Sequence, residues 1–255
     1  MEKVSGRQTL RGLGAFTVGL VVILLIGLAF VALVARDRHD LVDIPEGIPP
    51  GAGIAVPPID LDAPGRTAGQ LRSWAMDLSP DLGIPIVSLE AYGYAAAVMA
   101  RSRPDCGIAW TTLAGIAAIE SKHGTYHGSE VEADGKVSPP IRGVPLDGSP
   151  GVAVIADTDG GALDGDPDYD RAMGPFQFIP ETWKRFGTDA NGDGFADHDS
   201  IDDAALTAGK YLCVSGGDLT SPDGWQRAVK TYNQSTKYLL DVRNAAAAYS
   251  VGRAP

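Results

Sequence analysis

The sequence predicts a mainly α-helical domain that carries a loop-rich insertion and is preceded by one transmembrane helix. Three observations carry this reading. An uncharged apolar run lies near the start, Ala-rich apolar segments recur at helical spacing with no pair of alternating strands to compete, and a central block is dominated by Gly, Asp and Pro.

The first element is the run from Gly12 to Ala35, which holds no charged residue. At 1.5 Å per residue, a helix of that length crosses the roughly 30 Å of bilayer hydrocarbon. A cleavable signal peptide is the competing reading. Its apolar core would span about 7 to 15 residues and end in an A-x-A-like site, which Phe30 to Ala35 does not offer. Lys3, Arg7 and Arg11 before the run, against Arg36 and Arg38 after it, favour a cytoplasmic tail over 1–11. The rest of the chain is then expected outside a cell membrane that it crosses once.

Next comes a stretch rich in Pro and Gly (Pro45, Pro49, Pro50, Pro57, Pro58, Pro64), the composition of a semi-extended spacer. The expected linker covers 36–79 and the folded domain 80–255. Helices are expected near Ile86 to Ala100, Ala109 to Ser121, Pro180 to Phe186, Asp202 to Cys213, Pro222 to Tyr232 and Thr236 to Tyr249. Between Gly124 and Arg171 the composition turns to loops, with a short strand expected only over Val152 to Ile155. No repeat or heptad series is visible.

The net charge of −11 argues against a nucleic-acid partner, because such binding depends on Lys and Arg neutralising phosphates. The two cysteines, Cys106 and Cys213, both fall on the side assigned to the oxidising exterior. A bridge between them would close a long loop, a stabilisation of up to about 4 to 5 kcal/mol in the chain-entropy picture. Two buried thiols are the alternative. No C-x-x-C or histidine pair accompanies them, so zinc is not expected.

The chemistry begins with Ala109 to Glu120, a segment apolar almost all the way round, hence a helix buried on most sides. Glu120 ends it, and Gly124 follows at a position suited to a helix C-terminus. Apolar surroundings and the negative end of the helix dipole both disfavour an ionised carboxylate there, so its pKa should be raised. A carboxyl group protonated near neutral pH can protonate a glycosidic oxygen. Taken alone, Glu120 can equally close a surface helix or pair with Lys122.

Two further motifs decide the reading. The run Arg171 to Trp183 contains Met173-Gly174-Pro175-Phe176-Gln177 ahead of a helix start at Pro180, and Thr231-Tyr232-Asn233-Gln234-Ser235 forms a later turn. With Glu120-Ser121-x-x-Gly124 before them, their order and content resemble the membrane-bound lytic transglycosylase B family, in particular its membrane-anchored actinobacterial type. That resemblance implies a lysozyme-like fold acting on peptidoglycan glycan strands. Glu120 would be the single acid/base, and 1,6-anhydromuramoyl ends the product. Gln177, Tyr232 and Asn233 would line the sugar cleft, with Tyr92 and Tyr238 as weaker candidates. A muramidase that hydrolyses the same bond is one alternative; a non-catalytic, calcium-stabilised wall-binding module is another.

Asp189-Ala190-Asn191-Gly192-Asp193-Gly194 fits the opening of a calcium loop, placing side-chain oxygens at alternate positions before a glycine turn. The usual twelfth-position Glu is replaced by Ser200; the resemblance points instead to Asp203. Expected ligands are Asp189, Asn191, Asp193, the Phe195 carbonyl and Asp203, with Asp197 reaching through water. A solvated acidic turn is the alternative. The acidic run Asp157, Asp159, Asp164, Asp166, Asp168 and Asp170 reads as a charged, flexible loop, with a second cation site as the alternative. His123 receives no catalytic role, because no nucleophile motif accompanies it.

Overall fold

The computed structural model describes residues 43–255, so the expected transmembrane run 12–35 lies outside the described residues. Among the described residues, no single helix is long and apolar enough to cross a membrane. Seven α-helices among them build the domain: α1 (Arg72–Leu82), α2 (Ile86–Ser102), α3 (Trp110–Ser121), α4 (Pro180–Phe186), α5 (Ile201–Gly216), α6 (Pro222–Tyr232) and α7 (Thr236–Ser250).

Local chemistry fixes most of their starts. Pro180 and Pro222 occupy first-turn positions, where a missing N–H costs nothing. The side chains of Ser200, Ser221 and Ser235 accept N–H groups at the starts of α5, α6 and α7. Helix α3 packs chiefly on α7, and α2 on α5. Contact between α3 and α7 is close because Gly115 has no side chain: a Cβ there would lie 2.8 Å from the Val242 carbonyl oxygen.

The 3-10 turn Thr67–Leu71 and most of α1, Arg72 to Ser79, fall inside the stretch 36–79 expected to be linker. Leu71, Ala75, Leu78 and Leu82 recur at helical spacing and are all buried, so this segment contributes to the core. Much of the Pro-rich stretch also rests on the domain and does not stand away from it. Arg243 donates to the Glu46 carbonyl at 2.8 Å, Thr111 Oγ1 to the Gly51 carbonyl at 2.8 Å and Trp110 Nε1 to the Ile54 carbonyl at 2.9 Å. Arg66 closes the strap, its guanidinium meeting the buried Glu90 and Asp202.

The insertion after α3 holds two antiparallel ribbons, β1 (Glu130–Val131) with β2 (Val137–Ser138) and β3 (Arg142–Pro145) with β4 (Arg171–Met173). The strand expected over 152–155 is replaced by isolated bridges, Asp147 with Val154 and Ala156 with Tyr169. The acidic run is ordered by its own carboxylates and is not a bare charged loop. Asp157 accepts the N–H groups of Asp159, Gly160 and Gly161, Asp166 those of Asp168 and Tyr169, and the buried Asp170 that of Thr158. Cys106 and Cys213 form a disulfide that joins the segment after α2 to α5.

Candidate active site

Helix α3 ends without a glycine at its first left-handed position. Lys122 (φ 52°) and His123 (φ 63°) both adopt the left-handed conformation, and Gly124 (φ 85°) follows. Their N–H groups close the last turn, Lys122 N to Ala118 O at 3.2 Å and His123 N to Ala117 O at 3.0 Å. Ser121 then stitches this end to the Met173–Gln177 turn: its hydroxyl donates to the Pro175 carbonyl at 2.6 Å and accepts the Gly124 N–H at 2.8 Å. The Glu-Ser-x-x-Gly and Met-Gly-x-x-Gln motifs are therefore one piece of structure.

Glu120 is half-buried on the last turn, with Tyr238 of α7 donating its hydroxyl to Oε1. Burial lifts its pKa from the ordinary 4.5 to about 7, while the Tyr238 hydroxyl pulls the other way by stabilising the ionised form. Tyr232 and Tyr238 are held well above the ordinary tyrosine value, first by burial and then by the Glu120 charge, so both keep their protons.

A cavity of about 630 Å³ opens beside Glu120. Gln177 lines it, at a left-handed backbone position (φ 50°), with its Nε2 donating to the Gly174 carbonyl at 2.8 Å. Gly174 makes that turn possible, because a Cβ there would fall 1.8 Å from the His198 carbonyl oxygen. Among the described residues lining the cavity, Glu120 is the only carboxylate.

The other expected cleft residues divide. Tyr238 touches Glu120 directly. Tyr232 stacks on Tyr238, with ring centroids 6.5 Å apart, and donates to the Phe176 carbonyl at 2.7 Å. Asn233 is exposed, and its side chain accepts the Ser235 N–H at 3.0 Å, which ties the turn ahead of α7. Tyr92 is 0% exposed, so its assignment to the cleft is corrected: it packs in the core, edge-on to Phe176 and hydrogen-bonded to His123.

Residues missed in the sequence are those that the insertion delivers to the cleft, Tyr126, His127, Arg142 and Val144, together with Lys122. Arg142 reaches back from β3 to grip both oxygens of Asp199, at 2.7 and 2.9 Å. Burial alone would raise the Asp199 pKa, but His198 and Arg142 draw it down to about 2. The one available signal was negative, an insertion following the Glu turn directly.

In the expected cation loop, Asp189 accepts the N–H groups of Gly192 and Gly194, Asn191 that of Asp193, and Asp193 that of Phe195. Asp203 accepts from Ala190 and Asp197, clamping both ends of the loop. Burial first, and the neighbouring Asp189 and Asp202 charges after it, push Asp203 up to about 7 against two backbone hydrogen bonds. These are hard oxygen donors, and each carboxylate retains lone pairs beyond those bonds, so the residues present fit calcium. The acidic and histidine groups packed within 4.8 Å of one another are others, however: Asp197, His198 and Asp199, and Asp157, Asp159 and Asp170.

No curated protein and no solved structure matches the chain. Residues 167–245, which include Gln177, the Asp189–Asp203 loop, Tyr232 and Tyr238, match the family described as Transglycosylase SLT domain.

Proposed function

We propose that the chain is a peptidoglycan lytic transglycosylase with Glu120 as its single acid/base. The observation that carries this is a protonatable carboxyl group, with a pKa near 7, standing as the only carboxylate in its cleft among the described residues. Two-carboxylate glycosidases need a second acid as nucleophile or to activate water. The family match over 167–245 supports the substrate class.

In the proposed reaction, protonated Glu120 gives its proton to the oxygen joining N-acetylmuramic acid to N-acetylglucosamine, and that bond to C1 breaks. The resulting carboxylate takes the proton of the muramoyl 6-hydroxyl as its oxygen closes onto C1. Glu120 ends protonated again, no water is consumed, and the product carries a 1,6-anhydromuramoyl end. Gln177 offers an amide to the sugar, and Tyr238 steadies the carboxylate between its two proton transfers.

The same proposal places the domain outside a membrane that residues 12–35 cross. It also assigns the Asp189 loop to calcium, held by Asp189, Asn191, Asp193, the Phe195 carbonyl and Asp203. When bound, the ion would supply positive charge that lets these acids converge and stiffens the loop.

Mass spectrometry of digested glycan strands tests the chemistry. Ends one water lighter than reducing ends are expected. Reducing ends alone would point to hydrolysis, and no release at all, from wild type as from Glu120→Gln, would leave a binding module.

A further inference from the structure

The left-handed turn after Glu120 is held by a residue that the proposed reaction does not use. His123 lies buried between two tyrosines, with Nδ1 3.2 Å from Tyr92 Oη and Nε2 2.9 Å from Tyr249 Oη. Its carbonyl accepts from the buried Ser88 at 3.1 Å, and its N–H closes α3 on Ala117. Backbone and both ring nitrogens are therefore fixed by α2, α3 and α7 together.

The two ends of α7 meet the end of α3. Tyr238 and Tyr249 stand about three helical turns apart, hence on one face; the first donates to Glu120 and the second bonds His123. We infer that His123 is a positioning residue: bridged between Tyr92 and Tyr249, it sets the axial register of α7 and with it the seat of Tyr238 on the Glu120 carboxylate. The inference rests on Glu120 being the acid/base proposed above. Burial drives the His123 pKa down to about 3, so the ring stays neutral, one nitrogen donating and the other accepting, across the working pH range. The other groups around Glu120 are Tyr232 of α6, Lys122 of the turn, and His127 and Arg142 of the insertion.

The test uses the full chain in detergent micelles, with His123→Phe and Tyr249→Phe, which keep the rings and remove the hydrogen bonds, and His123→Gln, which offers an amide in place of the imidazole. Two quantities are read, kcat and KM on purified glycan strands and the titration of the Glu120 carboxyl carbon by NMR. In His123→Phe, kcat is expected to fall about 10- to 100-fold, as for a displaced catalytic group. KM should stay within about twofold, since ground-state contacts are untouched. The Glu120 titration should move upward by about half a unit or more, because the hydroxyl that stabilises the ionised form is loosened. Tyr249→Phe should shift it the same way, and His123→Gln should recover part of both effects. A Glu120 titration in His123→Phe and Tyr249→Phe that coincides with wild type overturns the inference. Absence of any product from wild type would instead sink the transglycosylase reading, and the titration would still decide the positioning.

Discussion

A carboxyl group whose pKa stands near 7 when folded and at its ordinary 4.5 when unfolded holds its proton more tightly in the folded chain, so it favours folding only while protonated. For Glu120 that contribution is fully present below about pH 4.5 and is lost as pH rises through 7. Glu120→Gln removes the ionisable group. Thermal melts of this variant and wild type should coincide near pH 4, while at pH 8 the variant should be more stable by up to about 3 kcal/mol. The same variant should lose about 10²- to 10⁴-fold in glycan release, the usual worth of a positioned acid/base. Tyr238→Phe removes a donor to the ionised form, so the Glu120 pKa should rise and the high-pH limb of the rate profile should move to higher pH. A limb left in place would show that Tyr238 does not act on the proton. Glu120 stood out in the sequence only when read with the Met173–Gln177 and Thr231–Ser235 motifs, because a carboxylate closing an apolar helix can equally cap a surface turn or pair with Lys122. Tyr92 was not, because whether an aromatic on α2 faces a cleft or the core depends on His123 and Phe176, which arrive from elsewhere in the chain.

Helix boundaries are set largely by local chemistry: the six expected helices start within a residue of the observed ones, and a first-turn proline or a serine cap marks the start of four of them, α4 to α7. Helix α1 was hidden because Pro80 sits inside it and a Pro-rich strap precedes it, although the buried face Leu71, Ala75, Leu78 and Leu82 was there to be read. Strands of two to four residues leave no periodicity to detect. Their pairing, Arg142 with Met173 for example, is decided by a partner far along the chain. Helix packing makes a sharper prediction at Gly115. In an open helix, Gly→Ala would stabilise by up to about 1 kcal/mol. Here the new Cβ would lie 2.8 Å from the Val242 carbonyl oxygen and 3.1 Å from the Ala246 Cβ. Overpacking of this kind costs about 1–3 kcal/mol, so Gly115→Ala should lower the denaturation midpoint in urea. It should also reduce activity, since α7 carries Tyr238. A raised midpoint would mean that α3 and α7 can separate without loss.

Over the whole molecule, parts distant in sequence are tied to the cleft through few residues. Arg142 lines the cavity beside Glu120 and at the same time holds Asp199, four residues before the Asp203 that clamps the Asp189–Asp197 loop. On its other side, Asp197 is paired with Lys136, which follows the Asp134 turn of the insertion. Whatever orders the loop should therefore also order the insertion wall of the cleft. If calcium is the ion, at a hundred times its dissociation constant it would stabilise the folded chain by about 2.7 kcal/mol. For a domain of this size that corresponds to roughly 5–10 °C in the melting midpoint. Adding chelator should lower the midpoint by that amount and slow glycan release, and restoring calcium should reverse both effects where magnesium, which demands a tighter octahedral site, should not. The two readouts separate two cases. A lower midpoint with unchanged turnover would confine the ion to stability, showing that Arg142 and Asp199 do not transmit the loop's order to the cleft. An unchanged midpoint would remove calcium from the loop and leave the Asp189, Asn191 and Asp193 side chains as turn-forming groups alone.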